Sequence, residues 1–95
     1  MINKYTIIMI FLFTISFIDK ATSENNFFLE AKKSYDEKKY DDSKFLFQRN
    51  IVFNPKDENS YLYLAKIYNF EENEREKEKN INTVLLLNPK NEEAI

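Results

Sequence analysis

The sequence predicts an all-α protein made of two stacked antiparallel helix hairpins, and three observations carry that expectation. The two prolines of the 95-residue chain stand in matching phrases, Phe53-Asn54-Pro55-Lys56-Asp57 and Leu87-Asn88-Pro89-Lys90-Asn91, 34 residues apart (89 − 55). Shifting the chain by that interval lays apolar on apolar: Phe27 on Tyr61, Ala31 on Ala65, Phe47 on Ile81, Ile51 on Leu85 and Phe53 on Leu87. Within the copies the apolar spacing is helical, with Tyr61, Leu64, Ala65 and Tyr68 at i, i+3, i+4 and i+7, and Tyr40, Phe47 and Ile51 on one stripe.

The N-terminal segment reads as an address. Lys4 precedes an uncharged run from Thr6 to Ile18, whose 13 residues (18 − 6 + 1) would span roughly 20 Å as a helix. A bilayer core is roughly 30 Å thick, so the run suits a signal-peptide core better than a membrane span. Ala21 and Ser23 then supply the small side chains that a signal peptidase inspects, which places cleavage after Ser23. Residues 1–23 are therefore expected to be a signal peptide, and the mature protein to be exported, periplasmic or secreted. An uncleaved membrane anchor, or a buried first helix of a cytosolic protein, is the alternative. No Cys is available for a lipid-modified N-terminus.

The rest divides into a first repeat over residues 24–57, a second over 58–91 and the start of a further helix over 92–95. Helices are expected at about 25–37, 40–53, 58–71 and 74–87. Asp57 and Asn73 are the N-cap candidates, and Asn73-Glu74-Arg75-Glu76 has the form of a capping box. The hairpin turns, at Lys38-Lys39 and Glu72-Asn73, hold no glycine. A left-handed residue there costs roughly 1 kcal/mol or more against glycine, unless Asn73 adopts it.

These residues resemble the tetratricopeptide repeat (TPR) family. The second copy matches the first half of its pattern, with Tyr61, Leu64, Ala65, Tyr68 and the closing Pro89; the first copy matches the second half, with Tyr40-Asp41-Asp42-Ser43, Phe47 and Pro55. The resemblance covers residues 24–91. It departs from the pattern at Glu30, where Leu is usual, at Asn50 and Lys77, where small residues let helices approach, and at Glu74, which replaces an aromatic. An unrelated short helical bundle is the alternative.

Composition narrows function by exclusion. The chain has no Cys and no His, which removes thiolate and imidazole chemistry together with the usual zinc ligands, and no Gly, which removes the phosphate-cradling loops. No enzyme activity, cofactor, metal or small-molecule substrate is expected. The 14 basic and 16 acidic side chains are interspersed and leave no positive stripe for a nucleic-acid backbone. The five carboxylates between Glu71 and Lys79 lack the turns of a calcium loop and read as a solvated face.

What remains is contact with another protein or peptide. By the resemblance, the first helix of each hairpin lines a concave groove, at Phe28, Leu29, Lys32, Tyr35 and Asp36, then Leu62, Tyr63, Lys66, Asn69 and Phe70. Lys32 and Lys66 lie one repeat apart, and stacking would set both ammonium groups on one side, favouring acidic segments. Ordinary solvated positions are the alternative for the lysines, and packing between helices is the alternative for Phe28, Leu62, Tyr63 and Phe70. The carboxylate clamp of some chaperone-binding TPR proteins does not transfer, because Phe28, Lys32 and Tyr63 stand at its positions and a third repeat is missing. On the last helix, Ile81, Val84, Leu85, Leu86 and Leu87 offer more apolar surface than one neighbour covers, so they are the expected interface of a homo-oligomer or a partner complex. A structural subunit or a fragment of a larger TPR protein is the second functional expectation.

Overall fold

The computed structural model describes residues 27–95, and the expected signal peptide lies outside them. Four helices, α1 (Phe27–Asp36), α2 (Tyr40–Phe53), α3 (Glu58–Phe70) and α4 (Glu74–Leu87), account for all the regular structure among the described residues. α1 packs on α2 and α3 on α4 as two hairpins, and α2 against α3 joins them. The protein is all-α, as the spacing predicts.

Helix ends follow from local chemistry, and they repeat. The residue before each proline is pushed out of the helical region, so Asn54 (φ −129°, ψ 73°) closes α2 and Asn88 (φ −146°, ψ 94°) closes α4. Asp57 caps α3 by accepting from the Asn59 N–H, and Asn73 caps α4 by accepting from the Glu76 N–H. The return half of the capping box is not formed, because the Asn73 N–H donates to the Tyr68 carbonyl at 2.9 Å.

That last bond belongs to the turn. Lys38 N–H donates to Tyr35 and Lys39 N–H to Ser34, while Glu72 N–H donates to Asn69 and Asn73 N–H to Tyr68. Both pairs form the two-bond Schellman ending, which needs positive φ at its penultimate residue. Lys38 (φ 63°) and Glu72 (φ 58°) supply it. Asn73 does not, because it is already the N-cap of the next helix.

The core lies in two connected clusters. Ala31, Phe47, Leu64 and Ile67 are buried between the hairpins, with Tyr35, Tyr40 and Tyr63 against them; Leu62, Val84 and Ala94 form the second, with Tyr61, Ile81 and Leu85. A seam of rings binds the hairpins: Tyr63 stacks on Phe47 at 4.9 Å, Phe28 meets both edge-on, and Tyr35 meets Tyr63 edge-on at 5.0 Å. Among the described residues, no buried side-chain N or O atom lacks a hydrogen-bond partner. Ser43 Oγ donates to the Ala31 carbonyl at 2.8 Å, where α1 and α2 approach. Asn50 Nδ2 donates to Asp57 Oδ2 at 3.0 Å and to Ser60 Oγ at 2.9 Å, pinning the turn between α2 and α3.

Two expectations are corrected here. Asn50 does not hold the helices apart, because its buried amide is matched by two acceptors across the turn. Val84 has no exposed surface and belongs to the core, not to an oligomer interface. The reason is residues 88–95, which fold back so that Ala94 covers Leu62 and Val84. Ile81 and Leu85 are half-buried, and Leu86 (84% exposed) is the outward residue of the five, with Leu87 at 37%.

Candidate functional site

The two hairpins differ where one side chain changes. In the first, buried Ser43 lets α2 close on α1; one repeat later the position is Lys77, facing Ala65 of α3. Lys77 is half-buried, its aliphatic stem laid along the crossing and its ammonium 3.4 Å from Glu74 Oε2. It lines a cleft of about 420 Å³ beside α3 and α4, together with Tyr35, Leu62, Ala65, Lys66, Asn69, Phe70, Ile81 and Glu93.

Five of the ten expected groove positions reach this cleft: Tyr35, Leu62, Lys66, Asn69 and Phe70. Leu62 forms its apolar floor and is nearly buried. Phe70 is 56% exposed, although its ring stacks on Tyr40 at 4.9 Å, so one face is held and the other is free. Lys66 lies over the Tyr63 ring at 5.1 Å and pairs with Glu93 at 2.9 Å. The hydrogen bond from Lys66 to the Glu93 carboxylate raises the lysine pKa above its ordinary value, outweighing partial burial. Tyr35 is also pushed up, chiefly by burial among the other rings.

The other groove positions lie elsewhere. Phe28 and Tyr63 are packed in the aromatic seam, because α1 and α3 stand near enough for their rings to meet. Both are half-buried and help hold the hairpins together. Leu29, Lys32 and Asp36 are exposed outside the cleft. The expected cation pair, Lys32 with Lys66, is therefore not the pair that shares a wall; Lys66 and Lys77 are.

Sequence reasoning passed over Lys77, Ile81 and Glu93 as cleft residues. Lys77 carried a legible signal, since it breaks a small-residue position. Glu93 carried none, because its approach to Lys66 spans 27 residues and depends on how the last turn folds back.

The cleft offers two ammonium groups, a carboxamide, an aromatic face and an aliphatic floor. Among the described residues no group of three or more His, Cys, Asp or Glu side chains is arranged to hold a metal ion. No described helix is long and apolar enough to cross a membrane. No family model matches the chain, and no curated protein matches it in sequence.

Proposed function

We propose that this chain is an exported TPR-like interaction module that holds an acidic peptide or helix segment of another protein in the α3–α4 cleft, without catalysis. The observation that carries the reading is the cleft wall itself. Lys66 and Lys77 flank an exposed face of Phe70 above an apolar floor, which suits a segment with carboxylates beside an apolar side chain. The TPR assignment is supported by a 34-residue interval that recurs in the left-handed residues (72 − 38) and in the pre-proline helix ends (88 − 54).

The test is capture of a partner from the native envelope extract by tagged residues 24–95, followed by titration of that partner into Phe70→Ala and Lys77→Met variants. Both variants should retain wild-type circular dichroism and bind the partner at least tenfold more weakly. Unchanged binding in both would remove the cleft from the function. Recovery of this chain alone would favour the second reading, a self-associating structural subunit, which Leu86 and Ile95 (83% exposed) support. Export itself is checked by N-terminal sequencing of the protein expressed in a bacterium: a periplasmic product beginning at Glu24 is expected, and a membrane-extracted product beginning at Met1 would replace secretion with anchoring.

A further inference from the structure

The segment after Pro89 repeats the turn that opens α3. Asn91 stands one repeat after Asp57 and plays the same part, its Oδ1 accepting from the N–H groups of Glu93 at 3.0 Å and Ala94 at 3.1 Å. The turn is held on α3 by Glu58, whose Oε2 accepts from the side chains of Asn88 and Asn91, each at 3.0 Å. So mounted, it delivers Glu93 to the candidate cleft and Ala94 to the core beneath it. Glu93 reaches Lys66 at 2.9 Å, and Ala94, 8% exposed, packs against Leu62.

We propose that Glu93 is an internal ligand of the cleft, a carboxylate on Lys66, which an acidic side chain of a partner segment displaces while Ala94 stays in the core. The proposal rests on the reading of the cleft as a peptide site, and it names the ligand group: a carboxylate that takes the place of Glu93 on Lys66.

Two features make the occupant displaceable. Glu93 is 62% exposed and Lys66 40%, so their attraction is weakened by water and salt, and pairs of this kind contribute little. The turn also lacks the anchor of its counterpart. In the first repeat, Asn50 donates to both Asp57 and Ser60, whereas Val84, one repeat after Asn50, has no polar group to offer Asn91 or Ala94. The 57–60 turn is fastened to the preceding helix by hydrogen bonds from Asn50, whereas the 91–94 turn meets apolar Val84 there and is held instead by Glu58 and by the exposed Lys66–Glu93 pair.

The probe is a fluorescein-labelled, C-terminally amidated peptide that copies residues 88–95, titrated into residues 24–95 by fluorescence anisotropy at low salt. Circular dichroism checks the fold of each variant. Glu93→Gln should bind the probe about two- to fivefold more tightly than wild type, the range that corresponds to an exposed ion pair. Lys66→Met should bind it more weakly than both, and the Glu93→Gln gain should vanish in 1 M salt. Carboxyl carbon resonances supply a second readout: the Glu93 signal should move when the probe is added to wild type and be unresponsive in Lys66→Met. Equal affinity of wild type and Glu93→Gln, with Lys66→Met weaker, would overturn the internal ligand while leaving the peptide site intact. Absence of binding to all three would overturn both.

Discussion

Glycine at positions 38 and 72 should make this protein more stable. Lys38 (φ 63°) and Glu72 (φ 58°) adopt the left-handed conformation in which Cβ crowds the following carbonyl, at roughly 1–2 kcal/mol for an L-residue with a side chain. Glycine carries no such penalty, but its unfolded chain is freer by about 0.4–1 kcal/mol, which returns part of the gain. The bonds that close both turns are made by the backbone, so they survive the substitution. Both side chains are exposed and form no hydrogen bond or ion pair among the described residues. The balance is a stabilisation of about 0.5–1 kcal/mol at each site. In a domain of this size that raises Tm by roughly 2–8 °C per substitution. Thermal and urea denaturation of Lys38→Gly, Glu72→Gly and the double variant, followed by far-ultraviolet circular dichroism, measures it. Lys38→Ala and Glu72→Ala remove the same charges but keep Cβ, so they should show no gain. Glycine variants that melt at or below wild type would refute the reasoning, and so would alanine variants that match them.

Asn50→Ala deletes one buried hydrogen bond, to Ser60, and two part-buried ones, to Asp57 and from Asn54, and a loss of about 2–3 kcal/mol should appear as a lower urea midpoint; a loss under 0.5 kcal/mol would mean that the network is dispensable. Raising the pH should destabilise the fold. Lys66 and Lys44 have raised pKa values from hydrogen bonds to Glu93 and Glu71, so what their protonated forms add is complete below the ordinary lysine value and is lost as pH rises through the folded one; Tyr35, raised chiefly by burial, resists ionising in the same range. Melts between pH 9 and 12 should show stability falling from about pH 10 upward, and a flat profile would contradict the three shifts together. Self-association should run through the exposed apolar tip of α4: light scattering of residues 24–95 at micromolar concentration should report a species larger than a monomer, and Leu86→Glu should return it to monomer. A cooperatively melting wild-type monomer would instead leave residues 88–95 as sufficient cover for the last helix.

The architecture was legible in the chain because its signals are local. Helix type follows from the spacing of Tyr61, Leu64, Ala65 and Tyr68 and helix ends from Asn-Pro and from Asp57 and Asn73, each set by residues within one or two turns of each other, while the hairpin interval follows from the recurrence of Asn-Pro after 34 residues (89 − 55). Four helices were expected at 25–37, 40–53, 58–71 and 74–87, and the described ones run over Phe27–Asp36, Tyr40–Phe53, Glu58–Phe70 and Glu74–Leu87. The turn was half legible. The absence of glycine exposed a cost, but Asn73 could not be both left-handed residue and N-cap, and the cost fell on Glu72.

The site was less legible, because burial is set by contacts between distant residues. Helical position alone put Phe28, Tyr63 and Phe70 in one class; only the approach of α1 to α3 separated the two rings of the seam from the one beside the cleft. Tyr63→Ala would remove a ring stacked on Phe47 and threaten the fold at roughly 3–5 kcal/mol, whereas Phe70→Ala leaves the core in place. The helices, their ends and the repeat interval could be read from the chain alone, since these depend on torsional preference and on neighbours in sequence. That Val84 is core, that Lys77 lines a cleft and that Glu93 meets Lys66 emerged only on folding, because each depends on which faces remain uncovered once two hairpins and a returning turn have packed together.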